Sequence, residues 1–550
     1  MDKGRRTIRR AMTAATLTLA SIWMGAARAD FFCSPPVKLP NVNVAGSNIG
    51  GSISADGLSL YFVREQEGNF TICVATRSSV QDDWYPATSL PPAINGPSWD
   101  HVPSISPDGL SLLFPSDRPG GSGGLDIWIA ERPTPDSPWG TPVNLGPAVN
   151  SSAWDMGAKM SADGLSIYFH SSRAGGFGGE DIWVTTRTAK DAPWEQAINL
   201  GLPVNGGQND GEPTISADGL TLFFNSERLG GSGSYDLWVT TRRTTDDPWG
   251  PPANLGPLVN SSTIEWCASV SPDGSTLYFC SDRPNLWGAC SIYQTTISPI
   301  VDFNGDGKVD ATEVRILVAN WGKDEPLCDI APTAMGDGIV DMQDLAVLTQ
   351  YAARDVIDPT LMACWTFDES EGTVACDTAG TCDGTLLGGP AWQPEAGAVG
   401  GALQLDGLDD HVTAALPDDP RKHPFSLFAW VKGGKPGQVI FSQQGAADWL
   451  LADASTGTLM TGLKSAGRLS RTLTSQAGIT DGNWHRVGLT WDGSVRTLYV
   501  DDICVAQDTQ NGLGSAYTDL IIGSGKDLAA GSFWSGLIDD VRLYKRVIKP

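Results

Sequence analysis

The densest run of chemistry-bearing residues is DFNGDGKVDATE, 302–313. Asp302, Asn304, Asp306, Lys308, Asp310 and Glu313 fall at positions 1, 3, 5, 7, 9 and 12 of a loop, and Gly307 stands at position 6, where a sharp turn is needed. Oxygens at this spacing wrap a hard cation such as Ca²⁺. Position 7 supplies only its backbone carbonyl, so Lys308 is compatible with it. A second copy follows at GDGIVDMQD, 336–344, with Asp337, Asp341 and Asp344 at positions 5, 9 and 12 and Gly338 at 6. Thr333 and Met335 stand where ligands 1 and 3 belong, and a thioether suits a hard cation poorly. Asp329 is the substitute if this loop is longer.

A second group precedes five Asp-Gly turns. Asp100, Asp155, Asp210 and Glu265 each lie eight residues before a turn Asp, with Asn48 in the first copy, and Trp99, Trp154 and Trp266 adjoin three of them. Converging carboxylates beside aromatics bind a cation or a sugar, or perform acid–base work at a glycosidic bond. The competing reading is framework, because catalytic acids need unlike surroundings and a column repeated in every copy serves every copy. Arg118, Arg173, Arg228 and Arg283, with Asp126, Asp181 and Asp236, read as repeated ion pairs closing glycine-rich loops. GGSGG (120–124) matches a Gly-x-Ser-x-Gly elbow, but no strand-to-helix turn carries it and the next copy is GGFGG (175–179), so it holds no nucleophile. Near the C-terminus Asp406, Asp409, Asp410 and Asp539 are candidates for another cation; the alternative is that they are turn acids capping strands.

The elements that must position these groups repeat. SADGLSLYF (54–62), SPDGLSLLF (106–114), SADGLSIYF (161–169), SADGLTLFF (216–224) and SPDGSTLYF (271–279) are tight turns followed by alternating strands, in steps of 52, 55, 55 and 55 residues. A second strand (DIWIAER, 126–132), a third (PWGTPVNL, 138–145) and one before each turn (HVPSIS, 101–106) make four short strands per copy without a helix, which predicts propeller blades. Trp128, Trp183 and Trp238 alternate with apolar neighbours and read as packing between blades. The fifth copy lacks its outer strand, and SPPVKLPNVN (34–43) parallels GTPVNLGPAVN (140–150); the Asn ending each copy lies at 43, 95, 150, 205 and 260. The start of the chain is therefore expected to complete the last blade and close a five-bladed ring without an open edge.

These repeats, over 34–298, resemble the WD40-like, TolB-type propeller repeat, a resemblance that implies a binding platform more often than an enzyme. The tandem loops over 300–353, each followed by a helix, with Val314, Leu317, Val318 and Trp321 expected on one face of the first, resemble a dockerin domain; that implies Ca²⁺-dependent folding and docking to a cohesin-type partner. Residues 361–550 read as short alternating strands of a two-sheet jelly roll. Through LDGLDDHV, WHRVGLTWDG, LYVDD and GLIDDVRLY they resemble the LamG-like, concanavalin A-type lectin/glucanase domain, which implies ligand binding, often to carbohydrate, and often one Ca²⁺. The Glu-x-Asp-x-x-Glu pattern of that fold's catalytic members is absent.

The whole is thus expected to be mainly β: a five-bladed β-propeller closed by its N-terminal strand, a small α calcium-loop domain and a C-terminal β-sandwich jelly roll. Residues 1–29, with a basic head, an apolar stretch over 11–25 and Ala27-Arg28-Ala29, read as a secretory signal peptide. The chain has 550 residues and net charge −26; those 29 residues carry six Lys/Arg against one Asp, so their removal leaves −31. Such a surface repels phosphate backbones and anionic lipid, which argues against nucleic acid and membrane partners. No later stretch reaches the length of a membrane span. The expected location is secreted, cell-surface or periplasmic, where the ten Cys can pair; Cys267 and Cys280 flank one turn, and Cys280 and Cys290 the next loop. The function expected is a non-catalytic, calcium-binding protein that binds carbohydrate or a surface protein. The alternatives are a glycoside hydrolase or lyase with its active site on the propeller, and a structural envelope or matrix protein.

Overall fold

The computed structural model describes residues 31–550 except 45, 285–288, 324, 326, 332, 337–338, 353–355, 357, 417–418, 423, 464–470, 514–518 and 549. Residues 1–29, expected above to be a signal peptide, and Asp337 lie outside the described residues. The chain divides into two compact units, Pro35–Thr296 and Ile297–Pro550, the latter taking in the 30–34 segment.

The first unit is five four-stranded antiparallel sheets. The third blade shows the pattern: Asp155–Met160, Ser166–Ser171, Asp181–Thr186 and Ile198–Asn199 pair in sequence order. Each Asp-Gly turn is closed alike: Ser161 Oγ donates to Asp163 Oδ1 (2.6 Å), Leu165 N to the same oxygen, and Ser166 N back to Ser161 Oγ. The fifth blade takes its outer strand from the start of the chain, Val37 opposite Gln294 and Lys38 opposite Tyr293. Asn43 then brackets Ile292, accepting from its N–H (2.7 Å) and donating to its carbonyl (2.8 Å). Asn95, Asn150, Asn205 and Asn260 do the same for Ile72, Ile127, Ile182 and Leu237. This recurrent clamp is why the Asn column exists: it satisfies main-chain groups where the outer strand is only two residues long.

The second unit holds the tandem acidic-loop segment and the sandwich. Helix α1 (Ala311–Ala319) and helix α2 (Met342–Tyr351) share a small core of Phe303, Val309, Leu317, Ile330, Val340 and Leu348. The expected face of α1 is corrected: Leu317 is buried with Glu313, while Val314, Val318 and Trp321 are exposed. The helix turns its acid inward because Glu313 belongs to the loop cluster. The sandwich has two eight-stranded sheets, and its first and last strands, Leu361–Trp365 and Ser535–Tyr544, pair as expected. Trp365, Trp449 and Trp534 fill the space between them.

No disulfide joins any cysteines among the described residues. Cys280 does lie between Cys267 and Cys290, its thiol in hydrogen-bonding contact with both.

Candidate functional site

The acid column is framework. Asp100, Asp155, Asp210 and Glu265 are completely buried, and each meets an arginine: Arg118 (2.7 Å), Arg173, Arg228 (2.6 Å) and Arg283 (2.9 Å). Each arginine also donates to the carbonyl of the residue before the clamp Asn: Ile94, Val149, Val204 or Val259. Its guanidinium lies over Phe114, Phe169, Phe224 or Phe279. The expected pairing of these arginines with Asp126, Asp181 and Asp236 is therefore corrected. Each of those carboxylates is wrapped by its own glycine-rich loop: Asp126 accepts from Ser122 N, Gly123 N (3.0 Å) and Asn144 Nδ2 (2.8 Å). A side chain at Gly121 would meet the Asp126 carboxylate at 2.5 Å, so the loop is glycine-rich to close around the acid. Trp128, Trp183 and Trp238 are buried, as expected of packing residues.

Chemistry that breaks the five-fold pattern lies beside this framework, on the end of the ring where each innermost strand begins. One residue before each column position come Ser47, Trp99, Trp154, Asn209 and Ile264; one before each third-strand cap come Phe70, Leu125, Glu180, Tyr235 and Cys290. The result has two halves. In blades one to three Phe70, Trp99 and Trp154 form a continuous aromatic wall, with centroids 5.4 Å and 6.2 Å apart, and Trp154 is 47% exposed. In blades three and four Asn209 ties the polar half together. It donates to Glu227 Oε2 (2.7 Å) and contacts the Tyr235 hydroxyl (3.1 Å), while its carbonyl accepts from Glu180 N (3.1 Å). Burial raises the Glu180 carboxyl above its usual range. Burial, with Glu227 and Glu180 nearby, pushes Tyr235 up to about 12.

Beneath this face four of the innermost strands bulge two residues past the column, at Gly50, Gly157, Glu212 and Cys267. The bulge uses left-handed backbone: Gly50 has φ 75° and Gly157 φ 61°. Glu212 (φ 47°) and Cys267 (φ 53°) hold the same conformation with side chains, at a cost on the order of 1–2 kcal/mol each. The strain aims Glu212 into the hub, where a side chain on Gly157 would meet Glu212 Oε2 at 2.9 Å and His170 Nδ1 at 2.7 Å. Glu212 Oε2 has no hydrogen-bond partner, and burial raises its carboxyl, with Glu180 adding to the effect. Lys159 crosses the hub to the Gly51 carbonyl (3.2 Å), and burial lowers it to about 8. Sequence reasoning missed Glu180, Asn209, Glu227, Tyr235 and Glu212; the signal available was each one's departure from its own column.

In the first acidic loop, 302–313, oxygens of Asp302, Asp306 and Glu313 lie within 4.8 Å of one another. Asn304 joins them by donating to Asp306 Oδ2 (3.0 Å). Burial lifts Asp302 to about 6; burial, together with Asp306 and Asp302, lifts Glu313 to about 7, and Glu313 Oε1 is buried without a partner. Crowded acids around an orphan oxygen fit a hard cation. Asp310 caps α1, accepting from Thr312 N, and Lys308 donates its N–H to Asp306. In the second loop Asp341 caps α2, and Asp344 accepts from Ile330, Ala331 and Asp341 N–H groups. Asp329 does turn into that loop, since a side chain on Gly336 would meet its carboxylate at 2.4 Å. In the sandwich Asp406, Asp409 and Asp410 converge within the same 4.8 Å limit. Asp539 stands apart from them, accepting from Val399 N, and burial pushes it up to about 7. A groove of about 430 Å³ on the second sheet is lined by Asp383, Thr385, His411, Gln444, Asp519 and Leu528 among others.

Fold and site together define a mainly β protein: a five-bladed propeller with an asymmetric aromatic and acidic face, and a concanavalin A-like sandwich. Residues 406–550 match the family model of the Concanavalin A-like lectin/glucanases superfamily. No curated protein matches the chain. Among solved structures it is similar to the Trypanosoma rangeli sialidase in complex with the inhibitor DANA, at 13% identity and TM-score 0.45 over 92% of both chains. It is also similar to the Bacteroides ovatus xyloglucan PUL GH43B, at 13% identity and TM-score 0.32 over 92% of this chain and 99% of that one. The third is domain 4 of AbnA, a GH43 extracellular arabinanase from Geobacillus stearothermophilus in complex with arabinotriose, at 18% identity and TM-score 0.28 over 34% of this chain and 94% of that domain.

Proposed function

We propose that this is an exported, carbohydrate-directed protein that seats a glycan on the asymmetric end of the propeller. The carrying observation is the junction of an aromatic wall (Phe70, Trp99, Trp154) with a hydrogen-bonding half (Glu180, Asn209, Glu227, Tyr235) in adjacent blades. A sugar ring has apolar faces for the wall and a rim of hydroxyls for carboxylates, amide and phenol. The sandwich, a member of a lectin and glucanase superfamily, is read as a second carbohydrate module. The repeats are read as WD40-like. The 300–353 segment is read as a dockerin-like unit in which Asp302, Asn304, Asp306 and Glu313 hold Ca²⁺, a structural charge that the crowded acids lack by themselves. The test is a glycan array with the full chain, with and without EDTA, beside Trp154→Ala and Glu227→Gln. Binding that both substitutions abolish supports the reading, and a full chain that captures no glycan in either condition overturns it.

A second reading, cleavage of the glycan, is favoured by the unlike surroundings of two acids. Glu180 is desolvated, which suits a proton donor, while Glu227 accepts from Asn209, which suits a carboxylate acting as base. Release of reducing ends by the full chain, lost in Glu180→Gln with binding retained, distinguishes cleavage from binding alone.

A further inference from the structure

The loops at the glycan-facing end of the ring are 43–47, 90–99, 145–154, 200–209 and 255–264 before the innermost strands, and 64–70, 117–125, 172–180, 227–235 and 282–290 after the second strands. Together they contain five basic residues, Arg64, Arg118, Arg173, Arg228 and Arg283. None is spare. The last four are tied to the acid column and a main-chain carbonyl, and Arg64 donates to Asn48 Oδ1 (3.3 Å) and Val42 O (3.5 Å). Lys159 lies buried in the hub on the Gly51 carbonyl. The same loops carry Glu65, Glu67, Asp117, Glu180, Glu227 and Asp282. At the opposite end Lys190, its side chain 62% exposed, pairs with Asp108 at 3.7 Å, among the turn acids Asp56, Asp163, Asp218 and Asp273. Both ends are thus acidic; what sets this one apart is that the aromatic wall shares it with Glu180 and Glu227 while each of its described arginines is already engaged.

Two further observations point to what this end lacks. Glu212 is 6% exposed, sits in a conformation that glycine holds in blades one and three, and leaves Oε2 without a hydrogen bond, with His170 and Lys159 facing it from inside the hub and Glu180 as the like charge nearby. A buried acceptor without a donor marks an absent partner. The aromatic wall adds the other half of ammonium recognition, because ring faces attract cations and desolvated indoles do so best.

We infer that the glycan accepted here carries free ammonium groups, as a deacetylated hexosamine chain does, and that carboxylated sugars are refused. The inference rests on the carbohydrate reading above. An ammonium of the ligand meets Glu180 and Glu227 at the mouth and stacks against Trp99 and Trp154. A uronate or a sialate brings a like charge to a face with no free cation among the described residues, which is a built-in rejection.

The test is calorimetric titration of the full chain with a β-1,4-linked glucosamine tetramer, its fully N-acetylated form, a neutral glucose tetramer of the same linkage and a galacturonate tetramer. It is run at low and at 0.5 M salt. The free-amine tetramer is expected to bind roughly tenfold tighter than the N-acetylated one. That advantage shrinks in high salt and disappears in Glu180→Gln and Glu227→Gln, whose folding is checked by circular dichroism, while the galacturonate tetramer does not bind. Equal or tighter binding of the N-acetylated form, or binding of the galacturonate, overturns the inference and leaves the carbohydrate reading standing. Failure of all four sugars together with an empty glycan array overturns both.

Discussion

If the acid column is framework, its arginines hold the blades and touch no ligand. The sharpest perturbation is Arg173→Met. The Asp155 carboxylate is completely buried and its remaining donors are Ser151 N (2.6 Å) and Ser151 Oγ (3.0 Å). Arg173, 10% exposed at its side chain, also serves the Val149 carbonyl and Ser171 Oγ and lies over Phe169 (5.1 Å) and Trp183 (5.0 Å). Removing it leaves a buried carboxylate short of its only counter-charge and a carbonyl without a donor. Breaking a buried pair in this way costs roughly 3–5 kcal/mol; the two surviving Ser151 bonds place the expectation at the lower end, about 3 kcal/mol. Methionine keeps part of the packing over the rings, so most of the loss is electrostatic. The assay is urea unfolding of the full chain followed by tryptophan fluorescence, for Arg173→Met, Asp155→Asn and the double variant. The two single losses should exceed the double by about 2 kcal/mol or more of coupling. The exposed pair Lys190–Asp108 at 3.7 Å is the internal control and should cost less than about 1 kcal/mol. Matching costs at Arg118, Arg228 and Arg283, with glycan binding intact in whatever remains folded, complete the expectation. A cost below about 1 kcal/mol at Arg173, or unequal costs accompanied by loss of binding, refutes the framework assignment.

The clasp on the closing strand is also measurable: Asn43→Ala leaves the buried Ile292 N–H without its acceptor, while the Ile292 carbonyl keeps the Leu39 N–H (3.0 Å), and should cost roughly 1–3 kcal/mol by urea unfolding. The hub is acid-labile through His101, which burial, with His170 nearby, lowers from 6.5 to about 4. A base whose folded value is depressed binds its proton more readily when unfolded, so stability falls as pH drops from about 6.5 to about 4. Roughly 3 kcal/mol is at stake, and His101→Phe should flatten that limb of a pH-stability curve. Calcium at one hundred times its dissociation constant should raise the stability of the C-terminal unit by about 2.7 kcal/mol in scanning calorimetry. The sandwich should feel it, since Tyr544, Arg486 and Arg546 hold the loop carbonyls of Gly305, Asn304 and Asp302, and Glu313→Gln should remove the increment.

What could be read directly from the residues was whatever repeats. The five Asp-Gly turns, the four-strand phase and the run 34–43 set out a closed ring, and the Asn column at 43, 95, 150, 205 and 260 foretold a shared role that the clamp on the third strand supplies. The paired terminal strands of the sandwich were likewise legible from their apolar alternation. The arginine pairing was misjudged for a physical reason. Arg118 and Asp126 are eight residues apart and on one loop, which invites a local ion pair, but main-chain N–H groups already fill the Asp126 carboxylate. The constant spacing of eighteen from Asp100 to Arg118, repeated at 155, 210 and 265, was the better signal.

The candidate site was hidden by the same repetition that revealed the fold. A motif scan rewards identity between copies, whereas a ligand, which has no five-fold symmetry, selects for difference between them. Glu180 looks like a loop residue until strand register sets it in one column with Phe70, Leu125, Tyr235 and Cys290. Glu212 looks like one more residue of the innermost strand until its backbone proves to hold the conformation that Gly50 and Gly157 adopt without strain. Strain is tolerated at Glu212 because its own blade is fixed by Arg228–Asp210 and the blades on either side by Arg173–Asp155 and Arg283–Glu265, so the ring can hold one side chain in a costly pose. The recurrent acids and arginines supply rigidity, and the exceptions among their neighbours spend it; a site of this kind is found by subtracting the repeat from the sequence and asking what is left on one end of the ring.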